Sequence, residues 1–226
     1  VCACAVLDTM IRMVFRRGAV LLLKLMRLQE WIVYARRLIG YIRDASGWQD
    51  RACEALLQGL RYTPVNKLTE LSEQLAKLLL QKQKLLAVAE SCTGGWLAKC
   101  LTDIAGSSQW FERGFVTYSN AAKQEMLGVQ AATLAAAGAV SEAVVLEMVD
   151  GALEHSRADI AVAISGIAGP GGGTPGKPVG TVCFAWAVKD STHQKDTRYF
   201  EGDREAVRQQ SVACALQGLL DVLATD

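Results

Sequence analysis

LLAVAESCTGGW, residues 85–96, decides how this chain is read. Leu85 to Glu90 is a short apolar run of the kind that forms a buried strand. Ser91-Cys92-Thr93-Gly94-Gly95 breaks it, and from Trp96 to Ile104 the apolar residues return at helical spacing. A strand that passes through a glycine-containing turn into a helix is the building unit of layered α/β folds.

The neighbouring segments extend the pattern. Upstream, Leu68, Leu71, Leu75, Leu78 and Leu79 recur at three- and four-residue steps, with Glu70, Glu73, Lys77 and Lys82 between them, which predicts an amphipathic helix over Leu68–Leu80. Downstream, FVTY (115–118) predicts a strand, followed by helices over Asn120–Leu127 and Ala131–Ala137. A helix over Ser141–Leu153 starts at a serine cap and turns Ala143, Val144, Leu146 and Val149 inward. IAVAIS (160–165) is an apolar strand that runs into GIAGPGGGTPGKPVG. Strands over 181–188 and 197–200 and a helix from Asp203 to Leu223 complete the domain. The expectation is a three-layer α/β/α sandwich around a mixed sheet, spanning residues 66–226.

Composition narrows the class. The 226 residues are 51% hydrophobic and 21% charged with a net charge of +1, which excludes a disordered chain and speaks against a general nucleic-acid surface. The charge is unevenly divided: residues 1–63 carry +5 and residues 64–226 carry −4, with Pro64 at the join. Residues 1–65 have helical periodicity and no catalytic constellation. They read either as a basic helical extension or as the product of a translation start placed upstream of the true one, and mass spectrometry of the natural N-terminus separates the two. The run from Met10 to Leu28 is interrupted by Arg12, Arg16, Arg17, Lys24 and Arg27, too often for a span of about 20 apolar residues, so no membrane partner is expected. Seven cysteines without a CxxC pair or a secretory signal fit a reducing cytosol, and no metal-ligand spacing is present.

Three places can carry chemistry. Ser91, at a strand-to-helix turn, is either a nucleophile beside backbone N–H donors or simply a helix cap, as is Thr93; Gly94 and Gly95 keep bulk away from a ligand. Neither His155 nor His193 has a context that recommends it as the base for a serine, whereas Tyr118 and Lys123, in TYSNAAK, leave the end of the next strand. A lysine serves as a base once burial lowers its pKa. Tyr and Lys five apart, without a dinucleotide fingerprint before them, do not fit a short-chain dehydrogenase. Cys92 is a conceivable thiol nucleophile or a small buried neighbour. The glycine-rich loop after residue 165 matches GxGxxG and GxxxxGK only literally, because Pro178 and a strand follow Lys177, yet so long and proline-restrained a loop favours ligand binding. Arg204 and Arg208, one turn apart, could clamp a phosphate or pair with Glu201 and Glu205.

Taken together and in order, AESCTGG, GFVTYSNAAK, GAVSE, SGIAGPGGG, KPVGTV and GDREAVR resemble the C-terminal domain of the CinA family, seen alone in PncC-type proteins, from about Lys67 to Leu223. The resemblance implies hydrolysis of the carboxamide of nicotinamide mononucleotide to nicotinate mononucleotide and ammonia, without metal or cofactor. It makes Ser91 the nucleophile and Lys123 the general base, with Tyr118 positioning the lysine or relaying its proton. Thr93, Gly94 and Gly95 would supply oxyanion donors, and Ser165, Gly166, Gly169 and Arg204 would hold the ribose and 5′-phosphate, with Arg208 as a further candidate. It also implies a homo-oligomer. A non-catalytic nucleotide-binding or regulatory module of the same fold is the alternative. Residues 1–65 are too few and too helical for the large N-terminal domain of many CinA proteins, so no pyrophosphatase activity is expected. A deletion of residues 1–65 that keeps full activity would mark them as dispensable.

Overall fold

The computed structural model describes residues 67–191 and 193–225. Two compact units are distinguished, Val1–Pro64 and Val65–Asp226, and the second is described below. The helical extension expected over residues 1–65, with Pro64 at its end, lies outside the described residues.

In chain order the elements are α1 (Lys67–Lys82), β1 (Leu86–Glu90), α2 (Trp96–Thr102), β2 (Phe111–Val116), α3 (Asn120–Leu127), α4 (Ala131–Ala137), α5 (Glu142–Glu154), β3 (Ile160–Gly166), β4 (Thr181–Val188), β5 (His193–Tyr199) and α6 (Arg204–Thr225). The five strands form one mixed sheet in the order β2-β1-β3-β4-β5. β1 runs parallel to both β2 and β3, and β4 and β5 are added antiparallel.

Strand side chains alternate across the sheet, and here size alternates with them. Leu86, Val88, Ile160, Val162, Ile164, Val182, Phe184, Trp186 and Val188 face α1, α2 and α6. Ala87, Ala89, Ala161, Ala163, Cys183, Ala185 and Ala187 face α5 and its neighbours on the other side. One face is therefore filled by large strand residues, whereas on the other the alanines let Val144, Val145, Met148 and Val149 of α5 come down onto the backbone layer. Both helical layers bury apolar stripes, as a three-layer sandwich requires.

Three expectations are corrected. The second strand is Phe111–Val116 rather than 115–118, because the polar start FERG pairs with β1 from Leu86 onward and Thr117-Tyr118 leaves the sheet. The last strand is His193–Tyr199 rather than 197–200: as a solvent-facing edge, its polar HQKDTRY sequence carries no apolar alternation to reveal it. On α5 the buried face is rotated, with Val145 and Met148 inside and Ala143 exposed. No helix among the described residues is long and apolar enough to cross a membrane.

The alanine face sets a tolerance that can be measured. Ala163→Leu is expected to lower the free energy of denaturant unfolding by about 1–3 kcal/mol, because α5 has no room to retreat. An unchanged unfolding midpoint would show that this face is loosely packed.

Candidate active site

β1 is flanked at its carboxyl end by the ends of β2 and β3, with Glu90 opposite Val116 on one side and Ile164 on the other. The chain leaves β1 for β2 on one side and later returns to β3 on the other. Ser91 thus sits where strand order reverses, the place where open α/β sheets form a crevice.

The period-two alternation of the strand sends consecutive residues to opposite layers. Glu90 points to the α2 side, is fully buried, and its carboxylate accepts hydrogen bonds from the backbone N–H groups of Gly95 (3.0 Å), Leu97 (3.1 Å) and Ala98 (2.8 Å). A carboxylate here satisfies the unpaired donors of the first helical turn and lies at the positive end of the helix dipole. Ser91 is therefore not the cap of α2, and Thr93 is not either, since its buried hydroxyl has no partner among the described residues. Serines do cap α3 and α5, where Ser119 accepts from the Ala122 N–H and Ser141 from the Val144 N–H. Gly94 and Gly95 adopt φ of +60° and +89°, which places glycine there for the turn itself.

Ser91 faces the α3 side. Its Oγ lies 3.0 Å from Lys123 Nζ, and Nζ donates to the Thr117 carbonyl at 2.8 Å. Lys123 is only 1% exposed, on the same buried face of α3 as Leu127. Among the described residues no carboxylate lies in ion-pair range of its amine. Burial without a counter-charge lowers its pKa from the ordinary lysine value of 10.5. The surrounding groups match a neutral amine: one N–H donates to the Thr117 carbonyl, and the nitrogen lone pair can receive the Ser91 hydroxyl proton. This is a nucleophile and base in contact.

Cys92 is 6% exposed, and burial pushes its thiol pKa up to about 12, which makes it a packed neighbour rather than a nucleophile. Both histidines are engaged elsewhere, His155 with the Gly151 carbonyl and His193 with Asp150.

The other expected residues divide by geometry. Tyr118 is 61% exposed, and its hydroxyl accepts from Arg204 Nη2 at 2.9 Å rather than meeting Lys123; what holds the lysine is the Thr117 carbonyl. Arg204 Nη1 also donates to the Gly169 carbonyl at 2.7 Å, so Arg204 joins the β2–α3 turn, the glycine loop and α6. The Ser165 hydroxyl is buried and donates to the Ala139 carbonyl, and Gly166 leaves room for Val182, whose Cγ2 would stand 2.7 Å from a Cβ. The Gly94 and Gly95 N–H groups, expected as oxyanion donors, are bonded to the Ser91 carbonyl and to Glu90. Within the turn it is the N–H groups of Cys92 and Thr93 that meet no carbonyl or carboxylate acceptor among the described residues. The glycine loop is anchored at its base by Ile167–Thr181 and Gly180–Ile167 bonds and at its tip by Lys177 Nζ on the Ala137 carbonyl. Arg208 donates to the carbonyls of Cys92 and Thr93 and lies over the Trp96 ring; neither it nor Arg204 pairs with Glu201 or Glu205. A cavity of about 370 Å3 is lined by Trp96, Asp203, Arg204, Glu205 and Arg208.

Sequence reasoning missed Glu90, read only as the end of a strand. A lone acidic residue closing an apolar run just before a glycine turn and a helix was the available signal.

The CinA C-terminal domain profile matches residues 68–223. The nicotinamide-nucleotide amidohydrolase PncC of Escherichia coli strain K12 is 58% identical over 154 residues, covering 68% of this chain and 93% of that protein. The protein of the same name from Pseudomonas putida is 49% identical over 158 residues, covering 70% and 98%. Among solved structures, a CinA superfamily protein from Klebsiella pneumoniae 700603 matches with a TM-score of 0.68 at 45% identity over 70% of this chain and 99% of that one. The competence/damage inducible protein CihA from Agrobacterium tumefaciens matches with a TM-score of 0.68 at 44% identity over 70% and 96%. Since the match runs from the first turn of α1 to the last of α6 and encloses both the Ser91 turn and Lys123, this chain belongs to the CinA C-terminal domain family.

Proposed function

We propose that the chain hydrolyses the carboxamide of nicotinamide mononucleotide to nicotinate mononucleotide and ammonia, with Ser91 as nucleophile and Lys123 as general base. The observation that carries this reading is the 3.0 Å contact between Ser91 Oγ and a buried lysine amine that has no carboxylate partner among the described residues. The activity named for relatives up to 58% identical supplies the substrate. As Oγ attacks the carboxamide carbon, the hydroxyl proton passes to Nζ and a C–O bond forms. The oxyanion is met by the Cys92 and Thr93 N–H groups. Lys123 then returns its proton to the amide nitrogen, the C–N bond breaks and ammonia leaves. Water, deprotonated by the same amine, releases nicotinate mononucleotide from the acyl-serine.

Arg204, held between Tyr118 and Gly169, is the cation for the 5′-phosphate, and Tyr118 acts on this substrate side by orienting Arg204. The activity resides in residues 66–226. Assembly into a homo-oligomer and residence in the cytosol belong to the same proposal, and sedimentation of the purified chain measures the former.

Ser91→Ala is expected to abolish ammonia release from nicotinamide mononucleotide, whereas a chelator leaves the wild-type rate unchanged; undiminished turnover by the variant would falsify the assignment. Because Lys123 must be neutral to act, kcat/KM should rise with pH through its lowered pKa, level off above it, and fall again on acidification. The same shift affects stability. Between the lowered folded value and the ordinary 10.5, the unfolded chain binds more protons than the folded one, so stability rises with pH across that window. Relative to Lys123→Met, the wild type should gain unfolding free energy as pH is raised through that window toward 10.5. A difference that is flat in pH would mean that the amine is not strained by burial.

A further inference from the structure

Between Ser91 and Ala98 almost every backbone group has an internal partner. Ser91 N–H bonds the Ile164 carbonyl, Gly94 N–H the Ser91 carbonyl, Trp96 N–H the Thr93 carbonyl, and Gly95, Leu97 and Ala98 the Glu90 carboxylate. The Cys92 and Thr93 carbonyls are reached from α6: Arg208 Nε donates to Cys92 O at 3.1 Å and Nη2 to Thr93 O at 2.7 Å. The guanidinium lies over the Trp96 ring, 5.2 Å from its centre, and Nη2 passes 3.6 Å from where a Cβ on Gly94 would stand. A planar fork is thus held on an aromatic face and closed on two successive carbonyls.

The peptide plane converts this into a statement about donors. In a trans peptide the N–H points opposite to the preceding carbonyl. With the Ser91 carbonyl held by Gly94 N–H, the Cys92 N–H is directed out of the turn. With the Cys92 carbonyl held by Arg208, the Thr93 N–H is directed away from α6. Hydrogen bonding of the carbonyl to a cation also polarises the peptide and strengthens its N–H as a donor.

We propose that Arg208 is a positioning residue for the amide hydrolysis: by clamping the Cys92 carbonyl from α6 it aims and polarises the Thr93 N–H, and by clamping the Thr93 carbonyl it polarises the Gly94 N–H, whose bond to the Ser91 carbonyl in turn sets the Cys92 N–H, so that both donors for the oxyanion depend on it. This rests on the Ser91–Lys123 reading above and assigns Arg208 to the turn rather than to the substrate phosphate.

Arg208→Lys keeps the charge but replaces the two-point fork with a single ammonium, so it tests the clamp. With the full chain and nicotinamide mononucleotide, kcat should fall about 10- to 100-fold, as for supporting residues that orient a reacting group. KM should stay within about threefold of wild type, since the interaction lost is one realised in the transition state. The pH dependence of kcat/KM, which reports Lys123, should not move. A wild-type kcat, or a loss confined to KM, would overturn the proposal, the latter making Arg208 a phosphate ligand. Ser91→Ala is assayed alongside: if it still releases ammonia the nucleophile assignment itself fails, whereas an inactive Ser91→Ala beside a fully active Arg208→Lys overturns the clamp alone. Should Arg208→Lys not fold, Trp96→Leu removes the ring beneath the guanidinium and decides instead. A kcat reduced by about three- to tenfold at unchanged KM supports the clamp, and a wild-type kcat overturns it.

Discussion

The carboxylate of Glu90 organises the carboxyl edge of the sheet. By accepting three N–H groups of α2 from inside the fold it joins the end of β1 to the start of the helix at a fixed distance, and the turn from Ser91 to Gly94 is what that distance leaves for the chain to span. Removing such an acceptor would strand three donors, of which the buried Leu97 N–H alone costs about 1–3 kcal/mol. Because the strand alternates, a carboxylate pointing to the α2 layer obliges the next residue to point to the α3 layer. The serine and the lysine meet for that reason.

Lys123 is the counterpart. An amine this buried, without a counter-charge in reach among the described residues, is a poor choice for stability and a suitable one for proton abstraction, since the same desolvation that disfavours the ammonium prepares the base. The Thr117 carbonyl fixes it from the end of β2, and two buried hydroxyls near the turn, Thr93 and Thr117, lack partners among the described residues. Two unpartnered hydroxyls and a destabilised cation meet at the neighbouring carboxyl ends of β1 and β2, where the fold gives up stability for chemistry.

Much of this was legible beforehand. LLAVAE and IAVAIS announced buried strands by apolar run and length, α1 by its leucine period, and α5 by the serine that does cap it. Ser91, Tyr118 and Lys123 stood out because each follows a strand. The illegible parts have particular causes. β5 is a polar edge and carries no apolar alternation, and β2 begins with residues that pair through the backbone alone. Gly94 and Gly95 were read as donors, but which N–H groups are free depends on what the others bond, and that bookkeeping needs coordinates.

By itself the sequence determined the layered α/β class, the motif order that ties the chain to its family, and the identity of the nucleophile and base as candidates, because these depend on local periodicity and on residue type. Tertiary structure alone decided that Lys123 is buried without a carboxylate beside it, that Tyr118 meets Arg204 and not the lysine, and that Arg208 grips the turn behind Ser91 from more than a hundred residues away. The reason is physical: pKa, hydrogen-bond pairing and donor direction are set by neighbours in space, and the sheet register that brings those neighbours together is not written in any one segment.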